Sequence, residues 1–285
     1  MVSSMVVSVL RQHFFCLCDH LCHRVLEMED ALDKIRPHTK SSLAHQKTPA
    51  NLLQALESTL KEKGTDQTPT AYFAALITTL DGTIRKNEIS LGDGDILPAE
   101  LYLLALISPF VPPAVVQTNL GTLLSLTAPL FPSLIAHAPP LRSQLSLYNA
   151  IFRALDRSQL DVPEVRQSFA TILQLCLDSR PKVRKRAADL VCDVLSNAPS
   201  PLLRHPYAER IADWLQTSLH QASSGLFSNS KSTGKGSSPT DTAIHLLALL
   251  RPVLPDLPLD VSMFSCPKPS LTVCFRLSHR SHLYF

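Results

Sequence analysis

The sequence predicts an all-α protein, an α-α superhelix in which helix pairs stack side by side into a solenoid. Three observations predict it. Apolar residues recur at helical spacing in one segment after another, most clearly over Asp178 to Leu195, where Val183, Ala187, Leu190, Val191 and Val194 share one face of a 3.6-residue period. Eight glycines stand against twenty-two prolines, so the residue that hairpins and phosphate loops need is scarce. The prolines recur near helix starts instead, at 49, 69, 98, 113, 140, 163, 181, 206 and 239.

The chain of 285 residues is 45% hydrophobic, enough to bury a sizeable core. A net charge of +3 is too mild to indicate nucleic-acid binding by the whole molecule, so only local clusters can argue for it. Seven cysteines in a chain of this length make no disulfide framework. Cys176 and Cys192 lie within apolar helical patterns as small buried hydrophobes do, which fits a reducing compartment.

Residues 1–27 differ from the rest of the chain. Arg11, Gln12 and His13 interrupt the apolar start and no small-residue cleavage site comes after it, so a secretory signal does not fit. The segment is expected to be a gene-model extension or disordered, with Met28 as the initiator. Residues 28–221 carry the helical pattern. Pro49 to Lys61 places Leu52, Leu53, Leu56 and Leu60 on one face, and Pro69 to Ile84 does the same with Tyr72, Phe73, Leu76, Ile77 and Leu80. A loop from Arg85 to Leu97 carries Asp93, Gly94 and Asp95, and Pro98 and Glu100 start the next helix.

From Leu101 to Leu141 there is no Asp, Glu, Lys or Arg. A membrane-spanning helix needs about 20 consecutive apolar residues, and seven prolines between 109 and 140 cut this run into shorter pieces. Buried helices in the middle of a solenoid account for it better. Leu141 to Leu155 restores charge. Asp161 to Leu177 then opens with an aspartate three residues before Glu164, a capping-box variant, and leads through a short turn into the helix after Asp178, for which Asp178 and Ser179 are the expected caps and Pro181 the first turn. Pro206 to Gln221 is a further helix. Residues 222–239 are rich in serine and glycine and read as a flexible loop. Residues 240–258 add another helix of the solenoid, Thr240 to Leu250, ended by Pro252. Residues 259–285 abandon the helical period and are expected to be an irregular tail, a truncation artefact.

The hairpin's second helix begins D-x-x-P-x-V-R-x-x-A, with Asp178, Pro181, Val183, Arg184 and Ala187 in place, and so resembles the HEAT repeat. A lone hairpin cannot cover its own apolar face, so such units come in stacked copies. The run LCLDSRPKVRKRAADLV, preceded by YLLALISPFVPP and LRSQLSLYNAIFRAL, is similar to the N-terminal portion of the ribosomal RNA-processing protein 12 family, over roughly Met28 to Pro258. That resemblance implies a non-catalytic HEAT/armadillo-type scaffold of the nucleus and nucleolus, acting in ribosomal RNA processing and nuclear export of ribosomal subunits. The partners it implies are pre-ribosomal RNA and ribosome-assembly proteins, with Ran GTPase and nucleoporins as further candidates. It also implies a chain much shorter than its relatives.

The best candidate site is a basic cluster, Arg180, Lys182, Arg184, Lys185 and Arg186, with Arg166 on the preceding helix. Lys182, Lys185 and Arg186 share a helical face and could neutralise phosphates, giving salt-dependent, sequence-independent RNA binding. In the competing reading Arg184 bonds to an aspartate of an adjacent repeat and the other cations are solvated. The same K-x-R-K-R cluster resembles a nuclear localisation signal, although a helix would lock it away from an import receptor.

Other constellations fail on spacing. Cys16, Cys18, His20, Cys22 and His23 match no paired-ligand zinc site. The glycines around Lys235 lack the leading glycine and the following Ser or Thr of a phosphate loop. Asp93, Asp95 and Glu100 supply too few oxygens for calcium. No serine or cysteine has the context of an activated nucleophile. The reading is therefore a scaffold without catalytic residues, metal, cofactor, small-molecule substrate or membrane span. The alternative is a protein-only adaptor of the karyopherin or trafficking type that binds no RNA.

Overall fold

The computed structural model describes residues 24–86, 89–227 and 238–258. Helix α1 spans residues 24–33. It is followed by α2 (Ala44–Glu62), α3 (Pro69–Arg85), α4 (Ile96–Ile107), α5 (Pro113–Thr118), α6 (Leu120–Thr127), α7 (Phe131–Leu134) and α8 (Ala138–Ala154). The chain continues with α9 (Arg157–Leu160), α10 (Pro163–Leu175), α11 (Pro181–Ser196), α12 (Ala208–Phe227) and α13 (Pro239–Val253). Among the described residues there is no strand.

The helices form two layers. In one, α2 packs on α4, α4 on α8, α8 on α11 and α11 on α13, so a ladder of long helices runs the length of the molecule. The second layer backs the first: α3 lies on α4, α5 and α7 on α8, α10 on α11, and α12 on α13. Each backing helix closes the apolar stripe that its partner could not bury alone.

One core runs through the interface. Its centre is an aromatic seam in which Phe131 meets Tyr148 at 5.2 Å, Phe152 meets Phe169 edge-on at 5.3 Å, and Phe169 meets Tyr207 at 4.5 Å between ring centroids. Buried polar groups along it bond across the helices: Tyr148 Oη lies 3.0 Å from Thr127 Oγ1, Gln144 Nε2 donates to the Thr127 carbonyl while its Oε1 is buried without a partner among the described residues, and Tyr207 Oη donates to the Leu160 carbonyl at 2.6 Å. Further along, Thr83 Oγ1 donates to the buried Glu100 carboxylate at 2.8 Å, tying α3 to α4. At the other end Arg36 bonds to Glu29 and Glu57, clamping the first turns to α2.

The structure moves several expected boundaries. Helix α1 runs across the 27/28 boundary and Met28 is fully buried in the core. Helix α2 begins five residues before Pro49, which sits inside the helix. Burial of its ring beside Ala50 and Leu53 offsets the backbone bond it cannot donate. Pro252 likewise lies inside α13, two residues before the chain tightens into the 3₁₀ turn Leu254–Asp256. Helix α12 continues to Phe227, into what reads as a flexible loop.

The caps differ too. Asp161 does not cap α10; its N-cap is Val162 with Pro163 in the first turn, and the Asp161 carboxylate takes Arg166 Nη2 at 2.5 Å. A capping box does exist one turn earlier, where Asp156 accepts from the Gln159 N–H and Gln159 Oε1 from the Asp156 N–H, starting the short α9. At α11 neither Asp178 nor Ser179 caps the helix with its side chain: the N-cap is Arg180. The Leu101 to Leu141 run is broken into the end of α4, the short helices α5 to α7 and the start of α8. Among the described residues no helix is long and apolar enough to cross a membrane. The segment holding Cys16 to His23, the Lys235 run and residues 259–285 lie outside the described residues.

Candidate functional site

The inner ladder carries an open groove of about 1410 Å³. Its floor is the stripe Pro98, Tyr102, Ala105 and Leu106 of α4, residues spaced four, three and one apart on one helical face. Tyr102 is 42% exposed although α4 is otherwise buried on most of its surface. One wall is α2 with the loop before α4; the other is formed by α8 and α11.

The loop wall is fixed by a tight backbone approach. Gly94 has φ +90°, and a Cβ there would meet the Ala44 side chain at 2.7 Å. Only glycine fits both requirements. Thr48 Oγ1 donates to the Gly94 carbonyl at 2.7 Å, and Asp95 accepts from Ser90 Oγ and from the Gly92 N–H. Asp93 faces His45 at 3.5 Å. Glu100 is turned into the α3–α4 interface, so Asp93, Asp95 and Glu100 do not converge. Among the described residues no three His, Cys, Asp or Glu side chains gather to hold a metal ion.

The basic cluster divides. Lys182, Lys185 and Arg186 line the groove from α11, joined by Arg142 from α8. Lys182 and Lys185 are exposed and form no ion pair among the described residues. Arg186 is half-buried and donates from Nε to Ser146 Oγ at 2.9 Å, which orients its guanidinium along the α8–α11 seam. Arg180 and Arg184 do not line the groove. Arg180 pairs with Asp178, whose carboxyl it holds below the usual carboxylate range, and Arg184 Nη1 donates to the Asp178 carbonyl at 2.7 Å. Arg184 thus bonds within its own hairpin, not to an aspartate of an adjacent one. Arg166 is held by Asp161 and also stays outside.

Arg142, Tyr102, Lys34 and the histidines 38, 45 and 137 also line the groove, and the sequence pattern does not single them out. The available signals were faint: Arg142 is the first charge after the long uncharged run, and Tyr102 a lone aromatic in an otherwise aliphatic helix. Five cations, Lys34, Arg142, Lys182, Lys185 and Arg186, share the lining with the carboxylates of Asp93, Asp95 and Asp189. The arrangement offers charge and apolar surface but no poised nucleophile. Burial raises the Cys176 thiol well above its ordinary value, and burial with Asp189, Asp193 and Asp256 nearby pushes Cys192 up to about 11.

Comparison with known proteins concerns the chain as a whole. The profile of the family described as RRP12-like, N-terminal HEAT repeats, matches residues 24–269. Ribosomal RNA-processing protein 12 of Saccharomyces cerevisiae is 31% identical over 205 residues, 68% of this chain and 17% of the relative. RRP12-like proteins of Gallus gallus and Homo sapiens are 28% and 26% identical over 84% and 86% of this chain. The chain spans less than a fifth of the length of these relatives, 17% of the first two and 18% of the third.

Proposed function

The chain belongs to the RRP12-like, N-terminal HEAT repeat family, and from that premise we propose that it is a non-catalytic scaffold arm acting in ribosome biogenesis. It binds pre-ribosomal particles during ribosomal RNA processing and subunit export, in the nucleus and nucleolus. One observation carries the reading: Lys182 and Lys185 stand exposed on the rim of the groove, without an ion pair among the described residues, backed by Arg186 and Arg142. Cations set along one edge of a rigid helical array meet an RNA backbone through phosphates, without sequence preference. Arg180 and Arg184 support this edge by shaping the turn before it. Ran GTPase and nucleoporins are further partners suggested by the resemblance.

Purified protein titrated with a ribosomal precursor RNA should lose affinity linearly in log salt, because phosphate contacts release counterions. Binding indifferent to salt, or absent, would contradict the RNA contact. The protein-only adaptor is a second reading, favoured by the apolar stripe on the groove floor. Salt-tolerant binding of protein, with no RNA bound, would select it.

A further inference from the structure

Resting on the scaffold reading, we infer that the groove floor seats an acidic amphipathic helix contributed by a protein of the same particle, while RNA runs along the rim lysines. Shape is the first argument. A helix of about ten residues, 10–12 Å across and 15 Å long, occupies roughly 1200–1700 Å³, and the groove of about 1410 Å³ is of that order.

The floor is the second. Pro98, Tyr102, Ala105 and Leu106 form a helical ridge turned toward the open side of the ladder. A ridge of this kind packs against the apolar stripe of another helix, as α4 already packs on α8. Tyr102 supplies a rigid apolar body with a polar tip, the side chain best suited to anchor such a contact.

Charge is the third argument, and it selects an acidic guest. Among the described residues Arg142 makes one long bond, Nε to the Ala138 carbonyl at 3.4 Å, and its side chain lines the groove. Arg186, Lys185 and Lys182 line the groove with it, and Lys34, from the turn after α1, adds a further cation to the lining. Of the acidic residues of the lining, Asp95 is engaged by Ser90 and Gly92, Asp93 lies 3.5 Å from His45 on the loop wall, and Asp189 is one carboxylate on α11 beside the three cations of that helix. Carboxylates flanking the guest's apolar stripe would therefore meet arginine and lysine on the α8–α11 side. RNA suits the floor less well: the stripe of Pro98, Tyr102, Ala105 and Leu106 offers apolar surface that another helix can bury and a phosphate backbone cannot.

The test places a photo-crosslinking benzoylphenylalanine at Tyr102 of the full-length protein in cells, with sedimentation of the same extract. A protease-sensitive adduct whose peptide carries acidic residues flanking an i, i+3, i+4 apolar stripe is the expected result. Ala105→Arg and Arg142→Glu should each lower its yield about tenfold, with circular dichroism unchanged to show both folded; RNA retention should change less than about twofold for Ala105→Arg, whereas Arg142→Glu, which also reverses a cation backing the RNA edge, is read on the adduct alone. A ribonuclease-sensitive adduct, a basic peptide, or no adduct on protein that still sediments with large particles would overturn the helix proposal and leave the scaffold reading intact. An acidic adduct on protein that sediments alone would uphold the helix and overturn the scaffold reading.

Discussion

Arg180 folds back on Asp178 as a two-pronged pair, Nε donating to Oδ1 at 2.9 Å and Nη2 to Oδ2 at 2.7 Å. The Arg180 backbone N–H reaches the same Oδ1 at 2.8 Å, and Arg184 holds the Asp178 carbonyl from the first turn of α11. The turn between α10 and α11 is thus built from two of the hairpin's own arginines. Its lysines are left to face outward, and this division makes structure and binding separable by mutation.

Asp178→Ala should lower stability by about 1–2 kcal/mol, since it removes a partly buried carboxylate that orders the turn. RNA affinity should stay unchanged. The sign with pH follows from the depressed Asp178 carboxyl: its contribution is present above the ordinary carboxylate pKa and is lost as pH falls through the lower folded value. Wild type and variant should therefore converge in stability in acid, which thermal melts at several pH values will show.

Lys182→Glu combined with Lys185→Glu should weaken binding to ribosomal precursor RNA and lessen the salt slope by about 2, one for each lost phosphate contact. Helicity should not change, because both side chains are exposed. Adding Arg186→Glu should abolish retention, at some cost in stability from the broken bond to Ser146. Salt-titrated filter binding with parallel circular dichroism measures both effects.

His205 gives the fold an acid-sensitive point. It is 3% exposed, its Nδ1 accepts the Tyr207 N–H at 3.1 Å, and burial pulls its pKa down to about 4. An unfolded histidine titrates near 6.5. As pH falls below that value the unfolded chain binds a proton that the folded one refuses, so stability drops by about 3 kcal/mol by the time pH reaches the folded value. His205→Asn keeps an acceptor for the Tyr207 N–H and should flatten stability across this window. Denaturant melts at pH 7.5, 6 and 4.5 will measure the difference.

The aromatic seam sets the stability of the α8–α10–α12 region. Phe169→Ala should cost about 3–5 kcal/mol, as it opens a cavity against Phe152 and Tyr207. Tyr207→Phe removes only the hydroxyl bond to the Leu160 carbonyl and should cost about 1–2 kcal/mol. Chemical denaturation of the two variants should keep this order.

The α10–α11 hairpin is legible in the sequence because its stripe, its turn and its proline all point to the same structure, and the face read for α3, Tyr72, Phe73, Leu76, Ile77 and Leu80, is likewise buried. Pro49, read as a helix start, misleads because tertiary packing of its ring overrides proline's local preference, and Pro252, read as a helix end, because α13 runs through it to Val253. Asp161 misleads in the same way, since the box it suggests is satisfied one turn earlier by Asp156 and Gln159. The groove was half legible. Lys182, Lys185 and Arg186 are adjacent in sequence and show as a cluster, but Tyr102 and Arg142 join them only when α4, α8 and α11 stack. No local pattern encodes that meeting. The tying of Arg180 and Arg184 to Asp178 was likewise invisible, because a run of cations looks alike whether or not its members are engaged.

Sedimentation of the endogenous protein through a sucrose gradient, with and without ribonuclease, tests the central claim most directly. Wild-type protein should travel with large, ribonuclease-sensitive particles, and protein carrying Lys182→Glu, Lys185→Glu and Arg186→Glu should shift toward light fractions. A light species unaffected by ribonuclease, or a heavy one that the three reversals leave in place, would contradict the account.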